Sequence, residues 1–600
     1  MTDAPGHADT DIERLYRERL EARRATLVQH ERAHVHYGNL RLAIVGIAIL
    51  LLVAMGLRAL PWLLIPLAAF VVTAVAHARR LNARDRAASA VRFYERGLAR
   101  LSHQWMGHGA SGDRFRVPHH VYADDLDLFG AGSLFELLST ARTGAGEDTL
   151  ARWLLEPAAP DEIRGRQEAI HELIPRVDLR ETIAVLGDDS AVRVHAAELR
   201  AWATAPIRLR GSSTRIALFL MAAITATTTA AWAAGVVPGW TLAAVIAVQS
   251  SIALWFKSRV EPVAHGSEAP ARDLDLLADV LRVIETETFT SRCLTDLQAR
   301  IARDGRTASD EIRLLAQRVA ALVSRENVFF ALPASLLLWA TQFSFAIEAW
   351  RDRAGRHIPQ WLAAAGELEA LLALASFAAE HPDYAFPEFI EGRAQVSAAS
   401  LAHPLLAREA VPSDVVLGGP GPQLLIVSGS NMSGKSTLLR ALGLNVVLAQ
   451  AGAPVRAMSF RLTPLAIGAS IRIQDSLQEG HSRFFAEITR LKQIVDLTRA
   501  HRGAALFLLD EILGGTNSHD RRHGAQGLLT GLVDFGAVGL ATTHDLALGV
   551  IVDQLDGRAA NVHFEDRFEQ GHLSFDYRLR PGIVRTSNAI ALMQSIGLDV

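Results

Sequence analysis

Six hundred residues are too many for one hydrophobic core, so several domains are expected. Half the residues are hydrophobic and the mean hydropathy is +0.17, high for a wholly soluble chain, which directs attention to membrane segments. A formal charge of -3 excludes global attraction to polyanions and confines any nucleic-acid surface to local patches. The single cysteine, Cys293, excludes an internal disulfide and a thiolate metal cluster and suits a reducing compartment. A long, mostly polar stretch precedes the first apolar run without a small-residue cleavage site, so no cleavable signal is expected.

Residues 11 to 37 mix charges of both signs at helical spacing, with Leu15, Leu20 and Leu27 too sparse for a deep core, and predict a solvated or juxtamembrane helix. Residues 42 to 57 run uncharged between Arg41 and Arg58, and a second apolar run, 59 to 76, leads to Arg79 and Arg80. The pair predicts a transmembrane hairpin. Each run is slightly shorter than the ~20 residues that usually cross a bilayer core, which leaves a buried soluble hairpin as the alternative. Residues 77 to 100 carry seven Arg against Asp85 and Glu95, whereas the connecting turn has only Arg58, so both ends should face the cytoplasm.

Residues 120 to 175 return to soluble character with apolar positions at helical spacing, and Gly144 and Gly146 are expected in a loop between helices. His119, His120, Asp124, Asp125 and Asp127 invite a metal reading, but adjacent histidines project in different directions and no further ligand spacing supports them. A stronger hairpin follows. Residues 216 to 237 and 240 to 256 are joined by a Pro-Gly turn, flanked by Arg208, Arg210 and Arg215 before and by Lys257 and Arg259 after. Its ends should again face the cytoplasm, with Trp232, Trp240 and Trp255 at interfaces. A fifth run, 328 to 347, is read as a buried helix of the soluble body, because a fifth span would put the nucleotide site described next outside, where ATP is scarce. Residues 271 to 326 predict paired long helices with a reversal at 302 to 311, and residues 360 to 380 an amphipathic helix ended by HPDYAFPEF.

The stretch LLIVSGSNMSGKSTLLR, residues 424 to 440, joins a short buried strand to a helical pattern through a Gly/Ser-rich turn. Gly429, Gly434, Lys435 and Ser436 satisfy G-x-x-x-x-G-K-[ST] in the context that pattern requires; an ordinary Gly-rich strand-to-helix turn is the alternative. In such a loop the glycines let backbone N–H groups wrap phosphates at a helix N-terminus, Lys435 reaches the β- and γ-phosphates, and the Ser436 hydroxyl ligates Mg²⁺. The candidate nucleotide contacts are Gly429, Ser430, Asn431, Met432, Ser433, Gly434, Lys435, Ser436 and Thr437. AALFLLDEI, residues 504 to 512, is an apolar strand ending in two acids: Asp510 to hold Mg²⁺ through water, and Glu511 to orient and deprotonate the attacking water. VGLATTHD, residues 538 to 545, is a third strand, with His544 placed to reach the γ-phosphate or the water. Where a transporter ATPase should show an L-S-G-G-Q helix start, this chain has SLQEGHSRFFAEITRLKQIV.

These residues resemble the ATPase domain of the DNA mismatch repair MutS family. That family's GPNMGGKST appears here as GSNMSGKST, its ASGRSTFMVEM as QEGHSRFFAEI, and its DEIGRGTSTYDG as DEILGGTNSHDR. Its ATH corresponds to Thr543 and His544 within ATTHD, and its NVH and SYGLAVA are similar to AANVHFED and SNAIALM. The likeness extends to residues 122 to 175, with the helical core, and to 384 to 404, ending in His403 and Pro404. It implies a homodimer with composite sites, in which Ser482 reaches the γ-phosphate bound by the partner and Asn431 helps orient phosphate or water. It also implies double-stranded DNA as a partner.

Departures from the family pattern shape the functional reading. Nothing before residue 120 resembles the mismatch-reading domain, the Phe-x-Glu wedge is missing, and the first hairpin occupies that territory. The aromatic that stacks on adenine appears here as Ala410, leaving Val411 and neighbouring apolar atoms to hold the base, a loss of roughly 1 kcal/mol. Gly514 stands for the Arg of DEIGRGT, and Arg483 for the Thr of STF.

The expected architecture is α plus α/β and multidomain, with helical core and lever segments and two transmembrane helical hairpins ahead of an ABC-type P-loop ATPase domain. Its divisions are an N-terminal helix and hairpin (1–105), helical core (106–210), second hairpin (211–258), lever and core helices (259–395) and ATPase (396–600). The expected function is a membrane-anchored MutS-like ATPase using ATP and Mg²⁺ to gate a dimeric clamp on DNA. It would be multi-pass in the inner or plasma membrane, with the ATPase in the cytoplasm and the lipid bilayer as a partner. The alternatives are a membrane transport or remodelling ATPase driven by the same dimer, and a tether that binds ATP with little turnover. The Arg-rich stretch 79 to 100 suits duplex DNA or anionic lipid equally.

Overall fold

A computed structural model describes residues 11–59, 61–186, 196–302, 305–327, 330–407, 409–430, 432–472, 483–513, 518–544, 546–569 and 572–584. The charged N-terminal stretch and the first apolar run form one helix, α1 (Asp11–Met55), where a separate juxtamembrane helix was expected. No proline interrupts it, and its two glycines, Gly38 and Gly46, cost only about 1 kcal/mol each against Ala. A 3₁₀ turn at Gly56–Ala59 leads to α2 (Leu64–Leu101), which runs back along α1. Arg24 pairs with Glu95 at 2.7 Å, and the His34 and His77 rings meet at 2.7 Å. The base of the hairpin docks on the body: Arg100 donates to both oxygens of Glu380 at 2.5 and 2.6 Å, and Tyr16 donates to the same carboxylate at 3.3 Å. Arg100 is therefore a buried structural cation, unlike the surface residue its Arg-rich stretch suggested.

The body continues through α3 (Leu134–Leu138), α4 (Gly144–Leu155), α5 (Pro160–Leu173), α6 (Val177–Val185) and α7 (Ala196–Thr204). Gly144 and Gly146 lie in the first turn of α4, where the sequence suggested a loop. Thr143 caps that helix, its hydroxyl accepting the Gly146 N–H at 3.1 Å. Gly146 is needed for packing, since a Cβ there would lie 2.3 Å from a carboxylate oxygen of Glu369.

The second hairpin is α8 (Ser212–Ala233) and α9 (Gly239–Thr286). The latter runs past its apolar part into the body, burying Leu274, Leu277, Leu281 and Ile284. Next come α10 (Arg292–Ile301), α11 (Ala308–Val323), α12 (Ala331–Leu336), α13 (Trp339–Ala354) and α14 (Ile358–Glu380). The expected long pair is α9 with α11, joined by an Arg313–Asp279 ion pair at 3.0 Å, and α10 is an extra helix between them. The run 328 to 347 is broken at Leu338, whose φ of 51° ends α12 and starts α13. The break packs on the second hairpin: buried Gln249 accepts from Thr225 and donates to the carbonyls of Ser335 and Leu336 at 3.1 and 3.0 Å. From Leu368 to Glu380 helix α14 is buried on all its faces, because the core surrounds it, and only its first turns keep the exposed positions of the amphipathic helix expected. Among the described residues, five helical stretches are long and apolar enough to cross a membrane, by length and composition. The apolar windows of α1, α2, α8 and α9 are at most 17% buried, whereas the stretch spanning α13 and α14 is 83% buried.

The C-terminal part is α/β. Its strands are β1 (Glu388–Phe389), β2 (Val396–Leu401), β3 (Ser413–Leu417), β4 (Leu424–Ser428), β5 (Ser459–Leu462), β6 (Ala466–Ser470), β7 (Ala505–Leu509), β8 (Val538–Thr543), β9 (Ala559–Glu569) and β10 (His572–Pro581). Helices α15 (Lys435–Ala451), α16 (Arg483–Ala500), α17 (Ser518–Asp534) and α18 (Ile551–Gln554) complete it. A four-stranded sheet has the order β1-β5-β2-β3 and a six-stranded one β10-β9-β4-β8-β7-β6, parallel except for the edge strand β10. Strands β4, β7 and β8 are buried throughout, as their uninterrupted apolar runs require of a sheet covered on both faces. One face joins the helical body in a continuous core from Trp350 and Trp361 through Leu442 to Leu425 and Val427; the other packs Leu424 and Phe507 against Leu529 and Leu532 of α17.

Glu369 of α14 accepts the N–H groups of Arg142 and Thr143 at 3.1 and 3.2 Å, and burial pushes its pKa up to about 7 despite those bonds. A carboxyl raised on folding binds more protons in the folded state, so its contribution to stability falls as pH rises from about 4.5, its ordinary value, to about 7. The thermal midpoint should therefore drop a few degrees more between about pH 5 and about pH 7.5 in the wild type than in Glu369→Gln; parallel curves would remove Glu369 as the cause.

Candidate nucleotide site

Strand β4 lies parallel between β8 and β9, so Ser428 at its end is level with Thr543 and His563. The chain leaves β4 at Gly429, φ 148°, and enters α15 through Gly434, φ 106°. At Gly429 a Cβ would stand 2.8 Å from the Ser433 hydroxyl and 3.0 Å from the Phe564 carbonyl oxygen, so the tight turn admits only glycine. Met432, at φ 69°, is the exposed tip of the loop. Lys435, nearly buried, donates from Nζ to the carbonyls of Gly429 and Ser430 at 2.8 Å each. Burial lowers its pKa, opposed by the carboxylates of Asp510, Glu511 and Asp566. The hydroxyls of Ser430 and Ser433 are buried with no hydrogen-bond partner among the described residues. Ser436 and Thr437 follow Lys435 in the first turn of α15, where N–H groups lack helical acceptors. Asn431 lies outside the described residues.

The acidic pair follows β7. The Asp510 N–H donates to the Ser470 carbonyl at 2.9 Å, and its carboxylate accepts the Thr542 hydroxyl. The same hydroxyl oxygen accepts the Glu511 N–H at 3.0 Å, so one threonine of β8 positions both acids. Glu511 sits in the left-handed region, φ 48°, a conformation that costs a non-glycine residue of order 1 kcal/mol. His544 meets Glu511 Oε1 through Nε2 at 2.7 Å, which gives the imidazole a carboxylate partner. Beyond Glu511, the Leu513 N–H donates to the buried Glu487 of α16, tying this loop to the helix that begins at Arg483. Ser482 and Gly514 lie outside the described residues, as do residues 587–593 of the SNAIALM segment.

Glu511 forms one edge of a cleft of about 430 Å³ between the loop 401–413 and the start of α15. Val411 and Ala410 line it, and so do His403, Leu406, Phe564 and Tyr577. Tyr577 thus adds an aromatic ring to a cleft where the sequence pointed only to Val411 and neighbouring apolar atoms. Its ring approaches Gly434, where a Cβ would stand 3.3 Å away, and its own φ of 53° marks the irregularity in the β9–β10 pairing that puts it there. No local pattern marks this residue in the sequence. The loop 402–407 is held by Arg456, whose guanidinium donates to the carbonyls of His403, Leu406 and Ala407 at 2.9, 2.6 and 2.8 Å. Asn445, inside α15, donates to the Ala402 carbonyl at 2.9 Å and accepts the Arg456 N–H at 2.7 Å. Burial, with Arg440 and Arg456 nearby, pushes the His403 pKa down to about 4, so this imidazole is neutral at pH 7. A polar Asn within the apolar run 441–449 of α15 is the one sequence signal for this clamp.

The acids near residue 125 serve packing. Asp125 accepts the N–H groups of Ile471 and Arg472 at 2.6 and 2.8 Å, Asp127 pairs with Arg472 and with Arg440, and His120 Nδ1 accepts the Ala123 N–H at 3.3 Å. The Asp125 and Asp127 bonds join the helical body to the end of β6 and to α15. Among the described residues, no three His, Cys, Asp or Glu side chains are grouped to hold a metal.

A family profile described as MutS domain V matches residues 425–599. The chain is 34% identical over 223 residues to the DNA mismatch repair protein MSH3 of Phaeosphaeria nodorum, covering 36% of this chain and 20% of that protein. It is 31% identical over 273 residues to the DNA mismatch repair protein MutS 2 of Haloarcula marismortui, covering 42% and 28%. To the endonuclease MutS2 of Thermus thermophilus it is 32% identical over 197 residues, covering 33% and 25%. The chain thus spans between a fifth and under a third of the length of these relatives.

If Tyr577 stacks on a base in this cleft, Tyr577→Ala should weaken binding of a fluorescent ATP analogue about five- to tenfold, the loss of a ring contact of about 1 kcal/mol, with Tyr577→Phe near the wild type. Equal affinities in all three would exclude the stack.

Proposed function

We propose that this chain, whose residues 425–599 match MutS domain V, is a membrane-anchored ATPase whose ATP cycle gates a dimeric clamp on double-stranded DNA. The observation that carries this reading is the convergence of Lys435, Asp510, Glu511 and His544 at the same ends of the neighbouring strands β4, β7 and β8. The loop suits a polyphosphate. Glycines stand where a side chain would intrude, the Ser430 and Ser433 hydroxyls are buried and unpartnered among the described residues, and a buried lysine donates to carbonyls that phosphate oxygens can replace. Ser436 and Asp510 supply the hydroxyl and carboxylate that would hold Mg²⁺, an ion that takes few protein ligands and fills its sphere with water and phosphate oxygens. Bound there, it would neutralise charge on the β- and γ-phosphates.

The remaining steps belong to side chains. Glu511 orients a water and takes its proton as the water oxygen bonds to the γ-phosphorus and the bond to the β,γ-bridging oxygen breaks. His544, hydrogen-bonded to Glu511, holds that carboxylate in place. Thr542 sets the spacing between the metal-binding and the water-binding carboxylates. Tyr577, Val411 and the Arg456-clamped loop hold the base. Ser482 of a second copy, by resemblance, completes the γ-phosphate site, so hydrolysis requires assembly and ATP acts as the closing ligand.

Membrane anchoring is supported by the two apolar hairpins, whose helices leave the packed body at α1, α2, α8 and α9, and by the arginines at their bases. DNA binding is supported by the names of the relatives, while the missing wedge removes support for mismatch reading.

Steady-state hydrolysis tests the reading. Detergent-purified protein should hydrolyse ATP with Mg²⁺, faster with duplex or branched DNA, and Glu511→Gln should lower kcat at least about a hundredfold while still binding ATP. A rate indifferent to Glu511→Gln would overturn the catalytic assignment; a Glu511-dependent rate that no DNA changes would overturn the DNA clamp.

A further inference from the structure

Two clefts meet along the first half of α8. The outer, about 610 Å³, opens between the segment entering α8 and α13, with Arg210, Arg215, Glu348 and Asp352 as its charged residues. The inner, about 440 Å³, runs on between Phe219, Ala222 and Ala226 of α8 and Leu337, Trp339 and Phe343 across the α12–α13 break. Arg215, Phe219 and Gln342 line both, so the two form one groove, charged at one end and apolar at the other. Positions 215, 219, 222 and 226 share a helix face and cover about 16 Å at 1.5 Å per residue.

The charged end has surplus cation. Glu348 is already committed, accepting the N–H groups of Arg208 and Leu209 at 2.6 and 3.4 Å and pairing with Arg351 at 2.9 Å. Asp352 alone then faces Arg210 and Arg215, neither of which has an ion-pair partner among the described residues. Arg215 also faces like charge: it helps burial push down the pKa of Arg318, which spends its own donors on the Ala346 carbonyl. At the junction of the two clefts, the Gln342 amide nitrogen is buried with no hydrogen-bond partner among the described residues, a donor that calls for an acceptor. The apolar end lies on a helix long and apolar enough to cross a membrane, with Arg215 in its first turn. The groove therefore runs from headgroup level into the hydrocarbon layer.

We propose that this groove binds one anionic phospholipid, with its phosphate at Arg210 and Arg215, Gln342 donating to a phosphate or ester oxygen, and an acyl chain between α8 and the α12–α13 break. A free phosphate would leave the apolar half unfilled. The proposal rests on the reading that the second hairpin inserts in a bilayer.

The test uses the full chain in nanodiscs of equal phosphatidylglycerol and phosphatidylcholine, with retained lipid counted by native mass spectrometry. Wild type should keep one phosphatidylglycerol per chain, at least fivefold over phosphatidylcholine. Arg210→Gln with Arg215→Gln should abolish the preference, and Ala226→Phe, which fills the apolar half and leaves the arginines in place, should lower retention of both lipids. Equal retention of the two lipids by the wild type, or a preference that survives both variants, would overturn the site. Flotation on pure phosphatidylcholine vesicles reads insertion separately: a chain that floats without lipid preference refutes the groove alone, and one that does not float refutes insertion and the groove with it.

Discussion

Lys435 holds the geometry on which the C-terminal domain depends. Its ammonium, taken almost wholly out of water, is stabilised by two carbonyls of the loop that precedes it and by the field of three carboxylates. Those carbonyls can converge only because Gly429 and Gly434 adopt backbone angles closed to other residues and because β4 is fixed between β8 and β9. The helix that follows is buried along nearly its whole length, so the loop is mounted on a rigid support at both ends.

That support is shared with the helical body. Asp125 binds the backbone beyond β6, the Asn445–Arg456 clamp fixes the wall of the cleft to α15, and a single hydrophobic core passes from the body into the sheet. At the other end, Arg100 and Tyr16 lock the first hairpin to Glu380, and Gln249 locks the second to the broken helix at Leu338. The chain is thus tied through buried polar bonds from its exposed apolar helices to its phosphate loop. Buried bonds of this kind are costly to break on one side, which makes them suited to transmitting displacement rather than absorbing it.

What the sequence made legible follows from chemistry with fixed spacing. The loop 429–437, the acids after β7 and the histidine after β8 are each set by a short segment, and β4, β7 and β8 announce themselves as uninterrupted apolar runs. Tyr577, His403 and Arg456 were not legible, because their part in the cleft depends on a strand irregularity and on a clamp between distant segments. Gly144 and Gly146 looked like loop residues; the cap at Thr143 and the close approach of Glu369 make them helical. Residues 360 to 380 carry the spacing of a half-exposed helix, and only the surrounding body shows that every face of α14 is covered from Leu368 on. The pattern of 328 to 347 likewise hid a break, since Leu338 is apolar and the hydrogen bonds that stabilise the turn come from Gln249, far along the chain.

Two exposed apolar hairpins and a glycine-rich loop suited to a polyphosphate make sense on one chain if nucleotide binding changes how two copies meet. The most direct measurement is the mass of detergent-solubilised Glu511→Gln protein with and without ATP and Mg²⁺, read by mass photometry alongside bound nucleotide. The account predicts a monomer without ATP and a dimer with it, one nucleotide per chain. Full nucleotide occupancy with no change in mass would contradict the composite site and, with it, the clamp.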